Sequence, residues 1–173
     1  SRASGPSQRD DGRTYCCVWA VLGQERMRIS PHGIALIKHF EGCETTAYQC
    51  SANVWTIGYG HTRGVREGDK ITEDKAEYLL LEDLKHFEGF VDRLVEVSLN
   101  QDQFDALVSW TFNLGPTNLG ESTLLRKLNQ GHYDEVPAQM ARWNRSDGKV
   151  SEGLKRRREA EGLLWQGLDW KDV

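Results

Sequence analysis

Hydrophobic positions change period twice along this chain. Ile34, Ile37 and Phe40 recur at three-residue steps, which predicts a short helix with one apolar stripe. Ser30-Pro31 stands before them as an N-cap and first helical residue. Gly42 is expected to end this helix, leaving Glu41 in its last turn or just beyond. From Thr45 to Gly68 the helical period disappears, and Thr, Tyr, Val, Trp and Ile mix with Gly58, Gly60, Gly64 and Gly68. That mixture predicts a small β-sheet with tight turns, too small to stand without a helix or second lobe over it.

Helical spacing then returns for most of the remaining chain. Thr72 caps a long helix in which Ala76, Leu80, Leu84, Phe87, Val91 and Leu94 keep one face apolar, and Glu73 and Asp74 suit its positive end. Asn100, with Gln103 at the capping-box position, starts another, whose stripe is Phe104, Leu107, Val108 and Phe112 and whose stop is Gly115-Pro116. Further helices are expected near Ser122, His132 and Ser151. The fold class is therefore α+β: mostly helical, with a small N-terminal sheet and one helix long enough to join two lobes. The expected division is a domain at 28–173, with a small lobe at 42–70 and a helical lobe at 95–170.

Composition narrows the function classes. The 173 residues suit one domain, and a net charge of −4 supplies no global basic field for nucleic acid. The charge is uneven: Lys155 to Arg158 are all basic, a run that reads as a solvated helix face or, less often, as an anion-facing patch. No stretch reaches the ~20 apolar residues of a membrane span. The apolar "YCCVWAVLG" at 15–23 is too short, and residues 1–27 read as a processed end, an expression remnant or a truncated membrane anchor.

The four cysteines, Cys16, Cys17, Cys43 and Cys50, allow three complete pairings. Joining the adjacent Cys16 and Cys17 would strain the peptide between them, and the other two pairings each link the N-terminal segment to the 43–50 stretch. Cys43, Cys50 and His61 might be thought a zinc site, but the gap between the thiols departs from the usual spacing, so no metal and no cofactor are expected. Glu41 sits where a helix end meets a hairpin. A carboxyl partly withdrawn from water there can remain protonated and act as a general acid.

"EG" followed by "AY", then "TIGYGHT", "ITEDKAEYLL", "LNQDQFDALVSWTFNLG" and "RRREAE" resemble the phage-type lysozymes, the endolysins of tailed bacteriophages, in the same order over residues 30–166. The resemblance implies cleavage of the bond between N-acetylmuramic acid and N-acetylglucosamine in peptidoglycan. It implies a catalytic Glu, an Asp and a Thr, which fall at Glu41, Cys50 and Thr56, so the Asp is replaced by a thiol. Such hydrolysis ordinarily uses one protonated and one ionised carboxylate. A Cys50 thiolate can serve as that anion, as nucleophile or stabiliser; the alternative is a packing residue, with Glu41 and Thr56 sufficient.

By the same resemblance His61 is a structural partner of Asp83 on the long helix rather than a general base, and Phe112 and Asn113 face the sugar. An arginine in the run from Lys155 to Arg158 is expected to orient Glu41 or to meet the peptide stem, which one being open. The sequence is similar to the signal-arrest-release subclass, which implies transient membrane tethering through an N-terminal segment, a regulatory disulfide among Cys16, Cys17 and Cys43, and release into the periplasm. Residues 44–49 are expected to form a short loop that lets Cys43 lock Cys50. A monomer is expected. The rivals are a cysteine hydrolase built on Cys50 and His61, and an inactive peptidoglycan-binding module.

Overall fold

The computed structural model describes residues 25–173. Pro31–Glu41 forms α1, ended by Gly42 at φ 66°. Ser30 stands at the cap position, but its side chain does not close the helix. Its amide donates instead to Asp105 Oδ1 at 2.9 Å, and its hydroxyl donates to Oδ2 of the same carboxylate. The start of α1 is thereby tied to a residue 75 positions away. The contact is close enough to demand a glycine: a Cβ on Gly33 would lie 2.8 Å from that of Asp105. The buried face is Gly33, Leu36 and Ile37, a slight rotation from the expected stripe, so Ile34 and Phe40 are only partly covered.

β1 (Glu44–Gln49) and β2 (Trp55–Gly58) pair antiparallel. Tyr48 lies opposite Thr56 and Gln49 opposite Trp55, while Glu44 lies opposite Gly58; the mismatch in count places a bulge in β1. Bridges Thr46–Lys70 and Ile57–His61 extend this small sheet. α2 (Glu73–Leu94) covers it, with Ala76 packed on Gly58, where an added Cβ would sit at 3.2 Å. Thr72 caps α2 by accepting from the Lys75 amide, and at 22 residues the helix is about 33 Å long, enough to link two lobes.

α3 (Gln101–Leu114) opens with the expected Asn100–Gln103 capping box. Its stripe implies one buried face, yet every residue from Phe104 to Thr111 is buried. α3 is the central helix, enclosed by α1, α2 and two later helices, α4 (Pro116–Glu121) and α7 (Glu152–Trp165). Its polar residues Asp105, Ser109 and Thr111 therefore find their partners inside the protein. α4 was not anticipated, because Gly115-Pro116 reads as a stop; here Gly115 at φ 92° ends one helix and Pro116 begins the next.

α5 (Thr123–Asn129) and α7 begin behind Ser122 and Ser151, as their caps predict. Near His132 a single 3-10 turn (Tyr133–Glu135) precedes α6 (Val136–Ala141). A second small hairpin, β3 (Arg145–Ser146) and β4 (Lys149–Val150), turns on Asp147-Gly148, both at positive φ, the dipeptide such turns favour. The core gathers around α3, where fully buried Trp110 meets Trp143 edge-on with ring centroids 5.4 Å apart.

Candidate active site

Glu41 is the last residue of α1, and its side chain keeps 22% of its surface exposed. Arg157 of α7 donates to it, Nη1 to Oε1 at 2.6 Å, from a guanidinium that is itself only 5% exposed. On the other side the turn at Gly60 (φ 86°) passes so close that a Cβ there would lie 3.6 Å from Glu41 Oε2. The carboxyl opens into a cleft of about 560 Å³ whose walls include Gly60, Phe87, Phe90, Phe112 and Asn113. Arg63, Asp83 and His86 line it as well.

The basic run divides. Lys155 and Arg156 are exposed, but Arg157 and Arg158 are buried, which corrects the reading of this stretch as a solvated face. Successive helix positions are about 100° apart, so two neighbours can point inward while the two before them stay out. Both inward arginines meet Glu161 one turn later, a carboxylate with no exposed surface. Arg157 Nε donates to Glu161 Oε1 at 3.2 Å, and Ser109 Oγ donates to the same oxygen at 2.8 Å. Arg158 Nη2 donates to Asn113 Oδ1 at 2.6 Å. Arg157, Ser109 and Glu161 were not singled out in the sequence; polar residues inside otherwise apolar helical stripes were the available signal.

Cys50 begins the turn between β1 and β2. Its thiol is held below its ordinary value by the N–H groups of Val54 and Ala52, with a further contribution from the Thr56 hydroxyl, and burial opposes this only partly. Thr56 is 4% exposed and its Oγ1 donates to Val54 O at 3.0 Å. It has one proton for two acceptors, so donating to a Cys50 thiolate gives up the carbonyl. Neither Cys50 nor Thr56 is among the cleft-lining residues; they stand on the hairpin, Cys50 in its turn and Thr56 in β2. On β1, burial raises the hydroxyl pKa of Tyr48, and the charges of Glu44, Glu41 and Cys50 raise it further.

Among the described residues Cys43 and Cys50 form no disulfide, and they flank β1, one at each end. Residues 44–49 are not the expected short loop but a paired strand. At ~3.3 Å per residue the seven steps between the two thiols approach ~20 Å even with a bulge, whereas a disulfide needs Cα atoms within ~7 Å. A local Cys43–Cys50 bond is therefore incompatible with this hairpin, and so is a shared zinc ion. Among the described residues no group of three or more His, Cys, Asp or Glu is arranged to hold a metal. Cys16 and Cys17 lie outside the described residues. Cys43 contacts Tyr59, whose hydroxyl is raised first by burial and then by that thiol.

His61 Nδ1 lies 2.8 Å from Asp83 Oδ2, and its Nε2 lies 3.0 Å from Arg63 O. With both ring nitrogens occupied, neither is available to a cysteine nucleophile.

This arrangement has close counterparts. A profile of the family described as phage lysozyme matches residues 38–161. The chain belongs to the phage lysozyme family. It is 42% identical over 144 residues to an endolysin of Acyrthosiphon pisum secondary endosymbiont phage 1, covering 81% of this chain and 99% of that protein. It is 39% identical over 127 residues to the SAR-endolysin of Escherichia phage Mu, covering 73% and 74% respectively. Among solved structures, the muramidase domain of SpmX from Asticaccaulis excentricus superposes with a TM-score of 0.77 at 42% identity, covering 81% of this chain and 98% of that one. As a phage lysozyme the protein is a glycoside hydrolase, a muramidase whose substrate is peptidoglycan.

Proposed function

We propose that this endolysin cleaves the muramic acid–glucosamine bond with Glu41 as general acid and the Cys50 thiolate as the accompanying anion. The observation that carries the reading is the position of Glu41: a carboxyl at a helix end, gripped by a buried arginine at 2.6 Å and open to the cleft. Glu41 passes its proton to the leaving glycosidic oxygen. Positive charge then grows at the sugar's anomeric carbon, where an anion stabilises it. Cys50 supplies that anion from a cradle of N–H groups in the hairpin turn, and Thr56 beside it positions the attacking water. Phe112 offers an apolar ring and Asn113 an amide to the sugar, while His61 and Asp83 brace the turn that carries Gly60. The lysozyme domain is taken as residues 28–173, working as a monomer in the periplasm of the bacterial host, with membrane tethering through the N-terminal segment before release.

A disulfide at Cys50 removes its charge, so activity follows the free-thiol state of this residue. In the periplasm, an oxidising compartment, that makes the enzyme redox-sensitive. Locking Cys50 to Cys43 requires β1 to leave β2. An N-terminal thiolate, Cys16 or Cys17, attacking the Cys43 sulfur of such a bond releases the Cys50 thiolate and lets the hairpin re-form. The central test is Glu41→Gln, which should lower the release of reducing ends from peptidoglycan at least ~10²-fold while circular dichroism stays unchanged. Release at the wild-type rate removes Glu41 from the mechanism.

A further inference from the structure

Behind the cleft, the charges of four side chains cancel. Glu41 pairs with Arg157; Arg157 pairs with Glu161; Arg158 lies 3.0 Å from Glu161 Oε2 through Nε and 3.4 Å from Oε1 through Nη2. Glu161 has no exposed surface, Arg158 has 1% and Arg157 4%. Every polar neighbour of Glu161 is a donor: the Ser109 hydroxyl, Arg157 and Arg158. An ionised carboxylate pairs with both guanidiniums, whereas an acid proton would meet only the Ser109 hydroxyl as an acceptor. Burial pushes this carboxyl up, and the two arginines with Ser109 act against it.

We infer that Glu161 is a positioning residue for both walls of the cleft, aiming Arg157 at the acid Glu41 and Arg158 at Asn113 while balancing their charges. This rests on Glu41 being the general acid. Arg157 reaches three ways, to Glu41 Oε1, Glu161 Oε1 and weakly to Ser109 O, so Glu161 fixes the guanidinium that holds the acid. Arg158 joins Glu161 to Asn113 in the same manner. Arg157 and Arg158 are almost wholly buried, and Glu161 is the one carboxylate that contacts both of them.

The titratable and charged groups around Glu41 come from several elements: Arg157 and Arg158 of α7, Tyr48 of β1, Cys50 in the hairpin turn, Arg63 after β2, and Asp83 and His86 of α2. Of these, only the α7 pair is held by Glu161. Removing the Glu161 charge leaves one extra positive charge behind Glu41, which favours its carboxylate over its acid. Removing Arg158 does the opposite.

The test is the pH dependence of kcat/KM on peptidoglycan for wild type, Glu161→Gln, Arg158→Met and the double variant, with near-UV circular dichroism as the check on folding. The alkaline limb, where Glu41 loses its proton, should move down by roughly one pH unit in Glu161→Gln, a shift expected for one charge acting through an intervening guanidinium at an effective dielectric of ~20. The limb should move up in Arg158→Met and return near wild type in the double variant, where one charge of each sign is gone. If Glu161→Gln does not fold, the Arg158→Met displacement and its cancellation in the double variant decide the matter. Folded variants whose limbs all coincide with wild type overturn the inference. Failure of the underlying assignment looks different: Glu41→Gln would then retain activity.

Discussion

Cys50→Asp isolates what the thiol contributes. A thiol at its ordinary value of 9.0 is about 1% ionised at pH 7, whereas an aspartate at ~3.9 is almost wholly ionised. If the site needs only an anion, the substitution raises the amount of that anion by at most ~100-fold at pH 7. The gain must be smaller than this bound, because the N–H groups of Val54 and Ala52 already favour the wild-type thiolate. The larger effect is on pH dependence. The acid limb, where the anion at position 50 is lost, should lie at lower pH in the Asp variant than in wild type, because a carboxyl ionises well below a thiol. Cys50→Ala keeps the turn's backbone hydrogen bonds, Cys50 N to Val54 O at 3.0 Å and Asn53 N to Cys50 O at 2.9 Å, but carries no charge, so its activity should be far below both. The assay is turbidity loss of outer-membrane-permeabilised cells between pH 4 and 9, with Tm measured alongside. Equal rates for Ala and Asp, or the same acid limb in wild type and Asp, would refute the anionic role.

Further expectations concern the frame around the site. Asp83→Asn should cost about 1–2 kcal/mol, or about 2–6 °C in Tm, by weakening the 2.8 Å contact to His61, with kcat largely kept; a double-mutant cycle showing no coupling between positions 61 and 83 would argue against the pair. Glu88, 8% exposed on α2, has its carboxyl pushed up chiefly by burial, with Arg28 and the Ile29 amide opposing. A raised carboxyl stabilises the fold below its unfolded value of ~4.3, and that contribution is lost as pH rises through the folded value. Glu88→Gln should therefore gain stability relative to wild type as pH rises above ~4.3, and chemical denaturation at pH 3.5 and 7 checks the sign. A variant with Cys16, Cys17 and Cys43 all changed to Ser should stay active under oxidising conditions without reductant; a wild-type preparation with Cys50 mapped into a disulfide yet fully active would dismiss the switch.

How much of this was readable in the sequence depended on whether a residue's partner was local. Thr72, Asn100, Ser122 and Ser151 each cap the amide three places on, and all four helix starts were placed correctly from that short-range chemistry. Ser30 was placed correctly for the wrong reason, since its hydroxyl goes to Asp105 rather than to its own helix. Asp105, Ser109 and Thr111 look like the solvent side of α3 when the apolar stripe is read alone. They are buried because four helices surround α3, and a one-dimensional period cannot register that enclosure.

The same limit explains the catalytic region. Glu41 and Thr56 were identified by resemblance, and the spacing to Cys50 followed, but the arginine that holds Glu41 lies 116 positions away among four adjacent cations. Only the phase of α7 distinguishes Arg157 from Arg156, and that phase is set by packing on α3. The loop expected between Cys43 and Cys50 failed for a related reason. Six residues are short enough to close a ring, so chain length alone permits a local disulfide. Pairing with β2 draws the same six residues out straight and sets the thiols at opposite ends of the strand. Distance along the chain and distance in space thus diverge at Cys50. A Cys43–Cys50 disulfide and the β1–β2 hairpin are mutually exclusive, and on the proposed reading any redox control through this pair must act by making or unmaking β1.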